Sequence, residues 1–253
     1  QTVTVTGVDD SLIDGSQTST VTIAVVDESS NDSFDSLADQ TVSVSTADDD
    51  TAGFTITQTD GSSTVTEGGS TDLFTVVLDK GPLTDVVITV SSSDTGEATV
   101  SSSTLTFTAA NWDTAQTITM TGVDDDLVDG TQTSTITLAV EDASSDNDFD
   151  GVADQTVSVS TTDDDTAGFT ITQTGGSSTV TEGGSTDQIT VVLDAQPTSD
   201  VVISATSNDS GEVSTSGNLT FTAANWDTPQ TITMTGVDDD LVDGTQTSTI
   251  TLA

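Results

Sequence analysis

Apolar and polar residues alternate in short runs along the whole chain. Residues 2–6 (TVTVT) and 117–121 (TITMT) show the pattern clearly. Alternation of this kind predicts β-strands with one buried face. No segment has the spacing of an amphipathic helix, and no apolar stretch is long enough to span a bilayer. The pattern therefore predicts an all-β protein that does not insert directly into a membrane.

The alternating runs recur with the period of a whole domain. A GVDD-x-[LI]-[VI]-DG motif begins at Gly7, Gly122 and Gly236, so that 115 and then 114 residues separate its copies. The segment DDDTAGF begins at Asp48 and again at Asp163. Because the pattern starts and stops inside a repeat, we expect a part of a longer tandem array. The predicted repeats are residues 1–50 (the C-terminal part of a repeat), 51–165 (a complete repeat) and 166–253 (most of a third).

Seven strands are predicted within the complete repeat, separated by turn-forming segments such as Gly68-Gly69 and Lys80-Gly81-Pro82. Seven short strands in a domain of this size predict an immunoglobulin-like β-sandwich. The whole chain is therefore expected to form tandem seven-stranded sandwiches. The predicted strands are Phe54–Thr66 (interrupted at Asp60-Gly61), Leu73–Asp79, Val86–Ser91, Leu105–Phe107, Gln116–Thr121, Ser134–Val140 and Gln155–Thr161.

Acidic residues follow every second predicted strand. If successive strands reverse direction, these segments all emerge at one end of the sandwich, and their carboxylates converge there. Carboxylates in this number, without nitrogen or sulfur ligands, are the donor set of Ca²⁺ and suit Mg²⁺ less well. The acids of the complete repeat are Glu67, Asp94 and Glu97, the acidic turn Asp124, Asp125, Asp126 and Asp129, and the triplet Asp163, Asp164 and Asp165.

A single acidic loop is more often a solvated loop than a metal site. Here the acids keep fixed positions from repeat to repeat while the neighbouring Ser and Thr positions drift, for example between residues 97–105 (EATVSSSTL) and 212–219 (EVSTSGNL). The repetition favours a metal site over a solvated surface.

The complete repeat resembles the Calx-beta domain in its acidic triplet, its VTEGG segment (residues 65–69) and its QTITMTGVDDDLVD segment (residues 116–129). That family includes Ca²⁺-binding domains of sodium–calcium exchangers and repeats of large bacterial surface proteins. The resemblance implies Ca²⁺ ligands at Glu67, Glu97, Asp124, Asp125, Asp129 and Asp163 to Asp165. It implies Asp9, Asp10, Asp14, Asp48, Asp49 and Asp50 in the first repeat, and Glu182, Glu212, Asp238, Asp239 and Asp243 in the third. Asp129 departs from the exchanger domains, which tend to have Glu there.

A second, weaker metal site is predicted at Asp146, Asp148, Asp150 and Asp154, because residues 146–151 (DNDFDG) match the opening of an EF-hand loop. The twelfth position of that loop is Val157 instead of the bidentate Glu, and no helices flank it. A solvated loop is the competing interpretation.

The strongly negative net charge of the chain excludes two classes of binding partner. Lys80 is the one basic residue against 43 acidic ones, and the formal net charge is −42. Such a polyanion repels nucleic acid and anionic membranes. The chain has no Cys, so it cannot form disulfide bonds and another interaction must stabilise the fold in their place. Abundant Ser, Thr and Asp favour an extracellular or cell-surface location.

We therefore expect a Ca²⁺-binding structural extender of a giant repetitive bacterial adhesin or matrix fibre, in which Ca²⁺ stiffens each domain and its junction. The alternatives are an adhesion module that recognises a carbohydrate or protein, and a calcium sensor or buffer. Paired carboxylates also occur in glycosidases, but nothing else supports an enzyme. The expected partners are neighbouring repeats of the same chain, with lateral or end-to-end self-association as a further option.

Overall fold

The computed structural model describes residues 1–253 and is all-β. No helix is long and apolar enough to cross a membrane. The 19 strands are β1 (Gln17–Ile23), β2 (Gln40–Thr46), β3 (Phe54–Gln58), β4 (Ser63–Thr66), β5 (Thr71–Leu78), β6 (Val86–Ser92), β7 (Ala98–Val100), β8 (Thr104–Phe107), β9 (Gln116–Gly122), β10 (Gln132–Val140), β11 (Gln155–Thr162), β12 (Phe169–Gln173), β13 (Thr186–Leu193), β14 (Val201–Ile203), β15 (Ala205–Ser207), β16 (Val213–Thr215), β17 (Leu219–Phe221), β18 (Gln230–Gly236) and β19 (Ile250–Leu252).

Seven single-turn 3-10 helices interrupt the strands, and each has three residues. One of them begins at Glu67, directly after β4. The 3-10 helices are Asp27–Ser29, Asp32–Phe34, Thr59–Gly61, Glu67–Gly69, Asp142–Ser144, Asn147–Phe149 and Thr174–Gly176.

The chain divides into two compact units. The first comprises residues 1–65, 70–122 and 133–160, and the second comprises residues 66–69, 123–132 and 161–253. The acidic segments at 66–69 and 123–132 thus group with the C-terminal part of the chain. The repeat boundaries after residues 50 and 165 stay a prediction.

Most strands of the first unit form two sheets around one core. One sheet has the order β3-β5-β9-β7 and the other has the order β4-β11-β10-β6-β8. Inward-facing residues of both sheets, among them Phe74, Ile118, Phe107 and Leu138, belong to a single buried cluster. Burying each such side chain contributes about 1.5–3 kcal/mol. Alternation in the sequence therefore produces the expected sandwich. A separate antiparallel hairpin, β1–β2, lies in the same unit.

The first predicted strand is divided between the two sheets. Asp60 has a positive φ of 55°, and the turn that contains it separates β3 from β4. Each half then joins a different sheet, so β3 is an edge strand of one sheet and β4 is an edge strand of the other.

A short strand was missed in the sequence. Ala98–Val100 forms β7 and pairs with β9, whereas the predicted strand at Leu105–Phe107 pairs with β6 in the other sheet. Three residues are too few to show alternation, so only the complete burial of Ala98 marks the segment as part of the core.

The second unit repeats the first sheet of the first unit. Its four-stranded sheet has the order β12-β13-β18-β16, and β14–β17 and β15–β19 form two separate two-stranded antiparallel sheets. Phe169 pairs with Leu193 in the same register in which Phe54 pairs with Leu78. Phe221, Ile232 and neighbouring apolar residues form its core.

Candidate metal centre

Three acidic clusters lie beside the ends of the strands. Each contains acids from the loop that begins after the glycine of a GVDD motif, which we call the acidic loop (residues 8–15, 123–130 or 237–244). The first cluster comprises Asp9, Asp10, Asp14 and Asp48 to Asp50. The middle cluster comprises Glu67, Asp124 to Asp126, Asp129 and Asp163 to Asp165. The third cluster comprises Glu182, Glu212, Asp238, Asp239 and Asp243.

In the middle cluster, acids from distant parts of the sequence come together. Carboxylate oxygens of Glu67, Asp163 and Asp165 all lie within 4.8 Å of one another. Glu67 follows β4 and is only 2% exposed, and the two aspartates follow β11. Several carboxylate oxygens at this spacing are the kind of donor set that Ca²⁺ takes.

The first aspartate of the triplet ties the acidic loop to the end of a strand. Asp163 Oδ2 accepts a hydrogen bond from the Gly130 N–H at 2.7 Å, and its Oδ1 accepts one from the Asp165 N–H at 2.8 Å. The Gly130 donor, followed by the Asp165 donor, holds the pKa of Asp163 below its usual range. Backbone dipoles thus compensate this charge without a metal.

The same clasp occurs in the first cluster. Asp48 Oδ2 accepts from the N–H groups of Asp14 (2.9 Å) and Gly15 (2.7 Å), and its Oδ1 accepts from the Asp50 N–H at 2.9 Å. These donors, that of Asp50 first, lower the pKa of Asp48. The leading triplet residue therefore fixes the loop in both copies.

The last aspartate of the middle triplet has the opposite environment. Burial raises the pKa of Asp165, and the charges of Asp163, Asp126, Asp164 and Asp124 raise it further. Its Oδ2 is buried and accepts no hydrogen bond, and the same is true of Asp129 Oδ1. A buried carboxylate oxygen without a donor is costly. These two oxygens fit a divalent cation, which would supply the missing positive charge.

The third cluster has a related arrangement. Oxygens of Glu212, Asp239 and Asp243 lie within 4.8 Å of one another. Burial raises the pKa of Glu212, and the charges of Asp243, Asp239, Asp209 and Glu182 add to the effect. Glu182 therefore also contributes to the field at this site, whereas Asp238 is exposed.

The remaining predicted ligands have more local roles. Asp125 Oδ1 accepts from the Leu127 N–H at 2.7 Å, as Asp10 does from Leu12 and Asp239 does from Leu241. This aspartate therefore shapes the acidic loop in all three copies. Asp124, Asp49 and Asp164 are exposed, and Glu97 is half-buried just before β7.

Asp164 Oδ2 would lie 3.0 Å from a Cβ at Gly68, whose φ is 72°, so this close approach requires glycine.

The acidic loop also binds a turn that the sequence analysis did not connect with it. Gly81 donates to the Ser11 carbonyl at 2.8 Å, and its own carbonyl accepts from Ile13 at 3.0 Å. The later copy is equivalent: Gln196 donates to the Asp126 carbonyl at 2.6 Å and accepts from the Val128 N–H at 3.2 Å. Each contact is a parallel β-bridge between the acidic loop and the turn one repeat later.

The second predicted metal loop is built around a hydrogen-bonded carboxylate. Asp146, 7% exposed, accepts from the N–H groups of Leu83 and Thr84 at 2.8 Å each and from that of Asp148 at 3.2 Å. Burial alone would raise its pKa, but these donors outweigh burial and lower it. Asp148, Asp150 and Asp154 are exposed, and the two groups of three carboxylates within 4.8 Å lie elsewhere. A metal at this loop stays a prediction.

No protein-family model and no curated protein matches this sequence. Among solved structures, the CBD12 domain pair of CALX1.2 is 19% identical, with 73% of this chain and 76% of that chain covered and a TM-score of 0.32. The apo form of the Calx CBD1 domain is 18% identical, with 44% and 98% covered and a TM-score of 0.33. Domains 4 and 5 of the S-layer protein SbsC are 19% identical, with 58% of each chain covered and a TM-score of 0.31. At these scores the likeness carries no argument about function.

The opposing pKa shifts predict that, in metal-free buffer, the free energy of unfolding first rises and then falls as the pH is lowered. As the pH falls towards about 4, the ordinary pKa of a carboxyl group, the raised pKa values of Asp165 and Glu212 make the folded chain bind protons before the unfolded chain does. The free energy of unfolding therefore rises as pH falls. Below about pH 4, near the ordinary pKa of Asp, the unfolded chain binds more protons because Asp48 and Asp163 have lowered pKa values, and stability falls.

Calorimetric unfolding between pH 7 and pH 3 measures this profile. Excess Ca²⁺ should remove the initial rise, because protons then compete with the metal for the same carboxylates. The double variant Asp165→Asn, Glu212→Gln is the control and should lose much of the rise in metal-free buffer. A metal-free profile that falls continuously from pH 7 would contradict this account.

Asp146→Ala should destabilise the fold in metal-free buffer, because it removes the buried carboxylate that accepts from three backbone N–H groups. The expected loss in the free energy of unfolding is about 1–3 kcal/mol, measured by urea unfolding. Asp148→Ala is the matched control, since its side chain is exposed, and it should change stability by less than about 0.5 kcal/mol. Equal stability of the two variants, or a loss seen only with Ca²⁺ present, would reject the capping role.

Proposed function

We propose that this chain belongs to a calcium-binding structural extender, in which Ca²⁺ fixes the junctions between successive β-sandwich repeats. The observation that carries the proposal is the double attachment of the acidic loop. On one side the loop is held by the acidic triplet, through Asp163 and Gly130. On the other side it pairs with the turn at Gln196 in the next repeat. A cation at the middle cluster would therefore act on both attachments at once.

Glu67, Asp129 and Asp165 are the residues that we expect to hold the ion in the middle cluster. They combine a buried carboxylate with two oxygens that no protein donor satisfies. In the third cluster we expect Glu212, Asp239 and Asp243 to hold the ion, and these residues are the counterparts of Glu97, Asp125 and Asp129. Ca²⁺ is favoured over Mg²⁺ because it accepts six to eight oxygens in irregular geometry, while Mg²⁺ requires a near-ideal octahedron.

The energetic role of the ion follows from linkage. Without it, clustered carboxylates repel one another and strain the loop that reaches the next repeat. A ligand present at 100 times its Kd adds about 2.7 kcal/mol of stability per site, a large part of the total stability of a domain. Extracellular modules achieve this with Kd values of only about 10⁻⁴ to 10⁻³ M.

An extracellular, bacterial-surface setting is part of the proposal. The net charge of −42 keeps a long repetitive chain soluble and opposes edge-to-edge pairing between copies. The chain has no Cys, so a metal takes the place that disulfides hold in many exported domains. The resemblance to Calx-beta repeats supports the same setting. No catalytic role is proposed for the carboxylates.

Calorimetric titration with Ca²⁺ and small-angle scattering with Ca²⁺ or with EDTA test this function. The wild-type chain should bind Ca²⁺ and show a narrower distribution of interatomic distances at the long end when Ca²⁺ is bound, because junctions become fixed. Asp165→Asn should lose binding at the middle cluster and scatter in Ca²⁺ as a looser particle. Asp113→Asn, an exposed aspartate on another turn, removes the same charge and should behave as wild type.

Absence of Ca²⁺ binding together with an unchanged scattering profile would reject the extender. Binding that compacts each sandwich and leaves the distances between sandwiches unchanged would instead favour a sensor or buffer.

A further inference from the structure

The only basic side chain of the protein lies on an acidic cluster. Lys80 Nζ forms an ion pair with Asp50, the last residue of the first triplet. The Asp50 side chain is 8% exposed and that of Lys80 is 34% exposed. The Lys80 ammonium group therefore faces the first cluster.

The backbone register explains how Lys80 reaches this cluster. Lys80 directly precedes Gly81, whose N–H and carbonyl both pair with the acidic loop at Ser11 and Ile13. A Cβ atom on Gly81 would lie 2.7 Å from Leu12 and 3.1 Å from the Trp112 indole nitrogen. The turn is thus pressed against the loop, and the residue before Gly81 is directed to the triplet.

The later copy has the same register but no cation. Gln196 occupies the place of Gly81 and pairs with Asp126 and Val128. The residue before it is Ala195, which is buried, and the counterpart of Asp50 is Asp165. Asp165 has a buried oxygen without a donor, whereas Asp50 has an ammonium partner. The two junctions therefore differ in two charged side chains, because Ala195 stands in the place of Lys80 and Asp126 stands in the place of Ser11.

We infer that Lys80 is a tethered cation that compensates the first cluster and lowers the affinity of that cluster for Ca²⁺. The inference rests on the proposed function, because it assigns different calcium dependence to successive junctions. An ammonium on Asp50 neutralises one carboxylate and opposes the approach of a second cation by charge repulsion. The first junction is then held partly by Lys80 without a metal ion, whereas the middle junction depends on the metal ion.

The two tryptophans make the clusters separately measurable. Trp112 lies against Gly81, and the carbonyl of Trp226 accepts from Leu193, near the turn at Gln196. Tb³⁺ occupies Ca²⁺ sites and emits when a nearby indole is excited. In the full chain, a Trp226→Phe background therefore reports on the first cluster, and a Trp112→Phe background reports on the cluster beside Trp226. Ca²⁺ displacement of Tb³⁺ then gives the affinity for Ca²⁺.

Reciprocal variants test the inference with matched controls. In the Trp226→Phe background, Lys80→Met should raise the affinity of the first cluster on the order of tenfold, while Lys80→Arg should keep the wild-type value. In the Trp112→Phe background, Ala195→Lys should lower the affinity of the middle cluster by a similar factor. Ala195→Met, which adds bulk without charge, should not reproduce that loss. Equal affinities for Lys80→Met and wild type, or for Ala195→Lys and Ala195→Met, would overturn the inference.

Unfolding in metal-free buffer separates this inference from the proposed function. If no variant binds Ca²⁺ or Tb³⁺, the calcium-binding function is rejected. The tethered-cation role is then decided by stability alone: Lys80→Met should unfold at a lower temperature than Lys80→Arg, and Ala195→Lys at a higher temperature than Ala195→Met. Equal unfolding temperatures within each pair would overturn it.

Discussion

Clustered carboxylates repel one another, and this chain compensates the repulsion in different ways at equivalent positions. The leading aspartates of the triplets, Asp48 and Asp163, accept backbone hydrogen bonds from the acidic loop. Asp50 has an ammonium partner in Lys80. Asp165 has neither, and its environment opposes ionisation. One short sequence motif therefore combines a structural clasp with a buried carboxylate oxygen that accepts no hydrogen bond.

The acidic loop has two attachments, so it connects the carboxylates of the triplet with a turn further along the chain. The triplet holds one side of the loop, and the turn of the following repeat pairs with the other side at Gly81 or Gln196. Under the proposed function, a charge change at the triplet would reach this turn through a few covalent bonds and hydrogen bonds. Stiffening by a metal would then need no distant conformational pathway.

Much of the fold follows from alternation in the sequence, because the period of two marks the buried face of each strand. The sequence could not reveal β7, which has three residues, or the division at Asp60, which depends on a positive φ. The acids at the strand ends could be predicted, but the three residues of a triplet could not be distinguished. They differ in whether their carboxylates accept backbone hydrogen bonds, and only the folded loop supplies those donors. The pairing of Lys80 with Asp50 and the capping role of Asp146 join distant segments and leave no local signal.

Hydrogen exchange at the Gln196 amide reports on the proposed junction, because this N–H bonds to the carbonyl of Asp126 in the acidic loop. We expect slow exchange in Ca²⁺, faster exchange in EDTA, and fast exchange in both for Asp165→Asn. The amide of Leu193, bonded to the Trp226 carbonyl, serves as an internal reference that should change little. Equal protection of the Gln196 amide with and without Ca²⁺ in the wild-type chain would contradict the claim that the ion fixes the junction.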